Sequence, residues 1–146
     1  MNMQQTAAKE YLERQIMNAS PTERVVLCYD GAIRFLVRAK KAIEEKNIEA
    51  RYVNNKKAGN VIGYLMDTLD MEKGGEVAKQ LRYIYSRMTV RLMDVDIYND
   101  TAAIDEVVGE LRQLRASWEQ ISRDEGAGSK GEAEAEKNTK NVSATA

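Results

Sequence analysis

The residue types that most often perform catalysis or bind metals are scarce in this chain of 146 residues. It contains no histidine and a single cysteine, Cys28. Without histidine the chain lacks the commonest general base and the commonest metal ligand, and it cannot form a Ser/His/Asp or Cys/His catalytic arrangement. A single cysteine excludes a disulfide within the chain and thiolate zinc sites. We therefore expect neither an enzyme nor a metal or cofactor site.

Other groups that could in principle perform chemistry have structural explanations. The carboxylates of Asp67, Asp70 and Glu72 lack the spacing of a calcium loop, which indicates a solvated turn. Gly74-Gly75 follows a predicted helix with no strand before it, which is typical of a helix end and not of a nucleotide-binding loop. Cys28 lies near the start of an apolar stripe, as expected of a small core residue.

The composition describes one globular domain. Hydrophobic residues make up 43% of the chain, charged residues 31%, and the net charge is −1. A charge so near zero gives no general attraction to nucleic acid or to acidic membranes. The chain lacks the pattern of a signal peptide and any run of ~20 apolar residues. We therefore expect a cytoplasmic protein that neither inserts into a membrane nor binds nucleic acid.

Capping residues and the spacing of apolar residues predict where the helices begin and end. Ser20-Pro21-Thr22-Glu23 combines an N-cap serine, a proline at the first helical position and a glutamate three residues after the cap. This capping box predicts a helix over about 21–46. Apolar residues at alternating spacings of three and four predict further long helices over about 48–69 and 76–98, and from the Asn99-Asp100 turn to about 122. A shorter amphipathic piece over 7–16 is expected to be less firmly held.

Short connections between these helices imply antiparallel neighbours. The predicted fold is all-α, an antiparallel up-and-down four-helix bundle with a short extra N-terminal helix laid against it. Residues 1–122 form this domain. Residues 123–146 consist mainly of Gly, Ala, Ser, Glu and Lys, with Val142 the only sizeable aliphatic side chain. We expect them to form a disordered charged tail.

Some apolar residues of the second and third long helices lie off the main buried stripes. They are Val53, Val61 and Tyr64 on one helix, and Val77, Ile84 and Tyr98 on the other. A helix of a monomeric bundle needs only one apolar face, so a second face predicts a groove for another helix. The alternative is that the short N-terminal helix covers this face.

Gly59-x-x-x-Gly63 lies inside a predicted helix, where each glycine costs ~1 kcal/mol relative to alanine. Small residues four apart form a notch that permits close approach of another backbone. Either a neighbouring helix of the bundle or a partner helix could use this notch.

The order of these motifs resembles that of the FliS family, bacterial export chaperones for flagellin. The matching segments include Tyr11, Asn18-Ala19-Ser20-Pro21, Tyr29-Asp30-Gly31-Ala32, Leu69-Asp70 and Gly74-Gly75-Glu76. The resemblance extends over about 11–121.

This resemblance implies an antiparallel helical bundle without enzymatic activity. It implies binding of the disordered C-terminal segment of newly made flagellin, which prevents premature polymerisation. It also implies delivery of the complex to the cytoplasmic domain of the export-gate membrane protein of the flagellar type III apparatus.

The resemblance, together with the second apolar face, assigns a flagellin-binding groove to nine residues. They are Asn55, Ala58, Val61, Ile62, Leu65, Leu69, Leu81, Ile84 and Tyr85. Tyr11 matches a family position associated with docking to the export gate. The alternative function is a helical adaptor or regulator that uses the same groove for another export substrate or a regulatory protein.

Overall fold

The computed structural model describes the backbone of residues 3–145 and the side chains of residues 5–128. The described chain forms α1 (Met3–Asn18), α2 (Pro21–Glu44), α3 (Ile48–Asp67), α4 (Gly75–Tyr98) and α5 (Thr101–Thr145), with no strand in this range. Helices α2 to α5 form an antiparallel up-and-down bundle in which each helix packs against two neighbours. The predicted all-α bundle is confirmed.

Local hydrogen bonds fix the ends of the helices. The Ser20 hydroxyl accepts a bond from the Glu23 backbone N–H, and the Glu23 carboxylate accepts one from the Ser20 N–H, both at 3.2 Å. Between α4 and α5, Asn99 has the left-handed φ of 52° that ends a helix, and Asp100 accepts a bond from the Ala103 N–H at 3.1 Å. Because these connections are so short, consecutive helices run in opposite directions.

The core consists of one apolar stripe from each bundle helix. Its largest fully buried side chains are Tyr29, Leu36, Ile62, Tyr85, Met88, Val95, Ile104, Val107 and Leu111. Those on the same helix are three, four or seven residues apart, as predicted, so each stripe faces the bundle axis.

A tyrosine pair lies inside this core. The hydroxyls of Tyr29 on α2 and Tyr85 on α4 are hydrogen-bonded, and their ring centroids are 6.5 Å apart. The two helices are diagonal neighbours, so the bond crosses the bundle axis. Burial is the main reason why the pKa of each hydroxyl is raised above its ordinary value, so both tyrosines stay neutral well above physiological pH.

Helix α1 differs from the expectation that it lies against the bundle. Every described side chain from Gln5 to Asn18 is exposed, and Tyr11 is 68% exposed. In the last turn of α1, Ile16 borders a cavity between α2 and α3. The physical reason is that α1 carries few large apolar residues, too few for a long buried stripe.

The predicted helix end near residue 122 is wrong, because the backbone of α5 continues as helix to Thr145. The added segment is rich in Ala, Glu and Lys, which favour helix, and it contains no proline. At its beginning, the Thr22 hydroxyl donates a hydrogen bond to the Glu125 carboxylate at 2.8 Å. The division into a domain over 1–122 and a separate tail stays a prediction.

We predict that deleting residues 123–146 lowers the unfolding free energy by no more than about 1.5 kcal/mol, because it removes the Thr22–Glu125 hydrogen bond and two exposed contacts within α5, Gln120–Asp124 and Arg123–Glu119. Deleting only residues 129–146 keeps Glu125 and should leave the melting temperature at the wild-type value. Circular dichroism melting of the two truncations checks this. A fall of about 10 °C or more in either would mean that the removed segment packs on the bundle.

The tyrosine pair predicts an alkaline loss of stability. The raised pKa values mean that the unfolded chain releases the two protons first, so the unfolding free energy falls as the pH rises above about 10. Replacing both residues, as in Tyr29→Phe with Tyr85→Phe, removes these two titrations and should make the decline shallower. Urea unfolding at several pH values between about 8 and 11 measures this. An unchanged slope would contradict the account of the pair.

Candidate binding surfaces

Cavities and exposed apolar side chains are the candidate functional features of the described residues. Among the described residues, no group of three or more Cys, Asp or Glu side chains could hold a metal ion. No helix in this range is both long and apolar enough to cross a membrane. The features that remain are cavities between helices and apolar side chains exposed to solvent.

Most of the nine predicted groove residues lie inside the bundle. Six of them are buried, namely Asn55, Ala58, Ile62, Leu65, Leu81 and Tyr85. The other three, Val61, Leu69 and Ile84, are half-buried at the edges of the core. A partner that leaves the bundle intact therefore reaches only these three directly. The nine do not form one open groove in this conformation, and their role in binding stays a prediction.

Four of the nine residues line the same cavity at the end of the bundle near the α3–α4 turn. It has a volume of about 200 Å³ and we call it the end cavity. Its lining comes from four helices and the turn, namely Val25, Leu65, Thr68, Leu69, Asp70, Gly74, Val77, Ala78, Leu81, Tyr85 and Trp118. The wall is mostly aliphatic and aromatic.

Val61 belongs to a second cavity, of about 280 Å³, between α2 and α3. Leu27, Cys28 and Tyr64 also line it, and Ile16 of α1 closes one side. Burial raises the pKa of the Cys28 thiol, so this side chain stays neutral and acts as a small apolar group, as the sequence predicts.

An extended apolar surface lies on the outside of α4. Tyr83, Val90, Met93 and Ile97 are 69%, 66%, 57% and 62% exposed. With the exposed Ser86 they follow spacings of three and four, so they share one face of the helix over about 21 Å. We call this face the outer α4 stripe. Its residues were not predicted from the sequence, although their period is the same as that of the buried stripe.

Hydrogen bonds to α3 show which side of α4 carries the stripe. The Ser86 hydroxyl donates to the Met66 sulfur at 3.6 Å, so the stripe borders α3. Asn55 donates to the Leu92 carbonyl oxygen at 3.0 Å and to the Asp96 carboxylate at 3.1 Å. The predicted groove residue Asn55 therefore ties α3 to α4.

The edge of α3 beside the stripe contains the two predicted notch glycines. Ile48, Tyr52, Gly59 and Gly63 lie on the same side of α3 as Met66 by helical spacing. A Cβ atom at Gly59 or Gly63 would meet no neighbouring helix or side chain within 4 Å. The explanation that a neighbouring bundle helix uses the notch is therefore wrong. The notch lies open, and Ile48 and Tyr52 extend the exposed apolar surface from α4 onto α3.

Tyr11 lies apart from these surfaces, on the exposed α1. Its side chain is accessible to a partner, and its role in docking to an export gate stays a prediction.

Comparison with known proteins identifies similar chains. The family model described as "Flagellar protein FliS" matches residues 3–125. The chain is 39% identical to "Flagellar secretion chaperone FliS" of Salmonella typhimurium over 116 residues, which cover 79% of this chain and 86% of that one. It is 34% identical over 120 residues to "Flagellar secretion chaperone FliSB" of Pseudomonas aeruginosa, covering 80% and 95%.

A solved structure has the same fold. It is described as "Crystal structure of flagellar chaperone from bacteria" and superposes with a TM-score of 0.63 at 14% identity. The match covers 83% of this chain and 98% of that chain.

Proposed function

The chain belongs to the FliS family of flagellar secretion chaperones, and we propose that it binds the C-terminal segment of flagellin and keeps it from polymerising before export. This family is a family of chaperones and not of enzymes. The proposed place of action is the bacterial cytoplasm, where flagellin is made.

The observation that carries this proposal is the outer α4 stripe. Its four large apolar side chains are all more than half exposed and follow a helical period. Together with the notch on α3, they offer an amphipathic helix a complementary surface at least about 21 Å long. Scattered exposed apolar residues need no explanation, but a periodic stripe of them does.

The mechanism follows from the free-energy balance of coupled folding and binding. A disordered segment loses conformational entropy when it becomes helical on the chaperone. Burying the outer α4 stripe against the apolar face of that helix offsets this cost, since burial contributes about 25 cal/mol per Å² of apolar surface. The same apolar face of flagellin is then unavailable to other flagellin molecules.

Delivery to the export apparatus is a second part of the proposal. Tyr11, Leu12 and Met17 are exposed on α1, away from the outer α4 stripe. A chaperone that carries its client along α4 keeps these side chains free for the cytoplasmic domain of the export-gate membrane protein.

We predict that the double substitution Val90→Glu with Met93→Glu weakens binding of the flagellin C-terminal segment roughly 100-fold or more. Two apolar contacts are lost, and the two new carboxylates must give up their hydration when the segment covers them. Isothermal titration calorimetry with the flagellin segment measures the change. Val37→Glu is the matched control, since Val37 is 49% exposed on α2, away from the stripe. It should bind as the wild type does.

Two results would contradict this proposal. Equal binding by the α4 variant and by Val37→Glu would place the flagellin surface elsewhere on the molecule. Failure of the wild-type protein to bind the segment at micromolar concentrations would favour an adaptor for another partner.

Tyr11→Ala is predicted to leave flagellin binding within about two-fold of the wild type and to reduce flagellin export. The reason is that Tyr11 is exposed on α1 and borders neither the stripe nor the described cavities. Calorimetry and secretion assays on the same variant separate the two effects. A parallel loss of binding and export would assign Tyr11 to the flagellin surface.

A further inference from the structure

The end cavity is the feature of the bundle that the outer α4 stripe does not explain. We propose that it receives one bulky apolar side chain of the bound flagellin segment, next to a basic residue of that segment. This inference rests on the proposed function, and it identifies a separate subsite at the end of the bundle.

The size of the cavity fits a single side chain. Its volume is about 200 Å³, and an apolar protein cavity of about 150 Å³ already holds a benzene molecule. A leucine, methionine or phenylalanine side chain therefore fits, whereas a helix does not. Most of its lining side chains are apolar, including Leu65, Leu81 and Trp118.

The polar groups of the wall already have partners. The Tyr85 hydroxyl is bonded to Tyr29, and the Thr68 hydroxyl donates to the Leu65 carbonyl oxygen at 3.0 Å. The Asp70 carboxylate accepts bonds from two backbone N–H groups of the turn that follows it. The wall therefore offers little to a polar ligand or to an ordered water, which needs two to four polar partners. An apolar occupant loses nothing by entering.

The rim of the cavity is partly exposed to solvent at the end of the bundle. Its rim includes Val77, which is 65% exposed, and the half-buried Leu69 and Trp118. Trp118 lies on α5, and helices α4 and α5 pack least closely of the adjacent pairs. Val77 lies about 9 Å along the axis of α4 from Tyr83, the nearest residue of the outer α4 stripe. A segment that follows the stripe and continues around the N-terminal end of α4 reaches this rim.

The charge around the rim indicates which type of flagellin residue lies next to the inserted side chain. From residue 67 to residue 79 the chain carries four acidic and two basic side chains. Glu76 is paired with Lys79 at 3.3 Å, and Asp70 is bonded to its own turn. The exposed side chains of Asp67, Glu72 and Lys73 form no ion pair among the described residues, so two unpaired negative charges stand against one positive charge. A lysine or arginine beside the inserted side chain complements these charges.

Trp118 provides a direct readout, because it is the only tryptophan of the chain and lines the cavity. The probe is a synthetic peptide of the C-terminal segment of flagellin from the same bacterium, with any tryptophan replaced by phenylalanine. When the peptide saturates the full-length chaperone, we expect Trp118 emission to move to shorter wavelength and its quenching by acrylamide to fall.

Filling the cavity tests the proposal by a second route. Ala78→Leu and Val25→Met enlarge side chains on opposite walls of the cavity. Each should weaken peptide binding about ten-fold or more, because the apolar side chain of the peptide can no longer occupy the cavity. Neither should lower the melting temperature, since both fill empty apolar space. Ala102→Leu, on the exposed side of α5, is the matched control and should bind normally.

The outcomes separate this inference from the proposed function. Unchanged Trp118 emission during normal peptide binding would overturn the cavity proposal and leave the proposed function intact. Wild-type affinity of a folded Ala78→Leu or Val25→Met variant would do the same. Absence of any binding by the wild-type protein would overturn both. If both variants unfold, the Trp118 measurement on the wild type alone decides.

Discussion

The structure depends on the burial of one apolar stripe from each of four helices. Every bundle helix meets two neighbours, and a stripe repeating at three and four residues is enough to fill the space between them. The core of α4 is complete with Leu81, Tyr85, Met88, Leu92 and Val95. The large apolar side chains of the outer α4 stripe lie outside this core and face solvent in a periodic row, which indicates a role other than folding.

Helix α4 is thus apolar on two opposite sides, one of which stabilises the fold while the other is available for binding. The inner side holds the bundle together, partly through the Tyr29–Tyr85 hydrogen bond across its axis. The outer side stays exposed beside the open notch of Gly59 and Gly63, where alanine would have favoured the helix more. A rigid bundle that presents an apolar helix face is a suitable partner for a segment that has no structure of its own, because the chaperone does not pay an ordering cost.

The sequence predicted the features that depend on local interactions. The capping box at Ser20 determines the start of α2 within a few residues, and the period of the core stripes determines the bundle. The end of α5 depends on a balance between helix propensity and three glycines, which sequence pattern could not resolve. The position of α1 depends on packing against the whole bundle, and its few apolar residues do not specify one.

The candidate site was harder to predict for a physical reason. Residues such as Ile62 and Leu81 satisfy the pattern of a core and of a groove equally well, and only the packing shows that they are buried. The outer α4 stripe was not predicted because the off-stripe residues Val77 and Ile84 lie next to the core stripe in the helical pattern, whereas Val90 and Ile97 lie opposite to it. The resemblance to the FliS family identified the chaperone class, but it did not by itself show which residues of the bundle helices are buried and which are exposed.

Methyl NMR can show whether flagellin covers the outer face of α4. Met93 lies on the outer α4 stripe and Met88 is buried five residues before it on the same helix. On titration with the flagellin C-terminal segment, we expect a large shift of the Met93 methyl resonance, with Met88 much less affected. Binding of the segment with an unchanged Met93 resonance would mean that flagellin binds to another surface of the bundle.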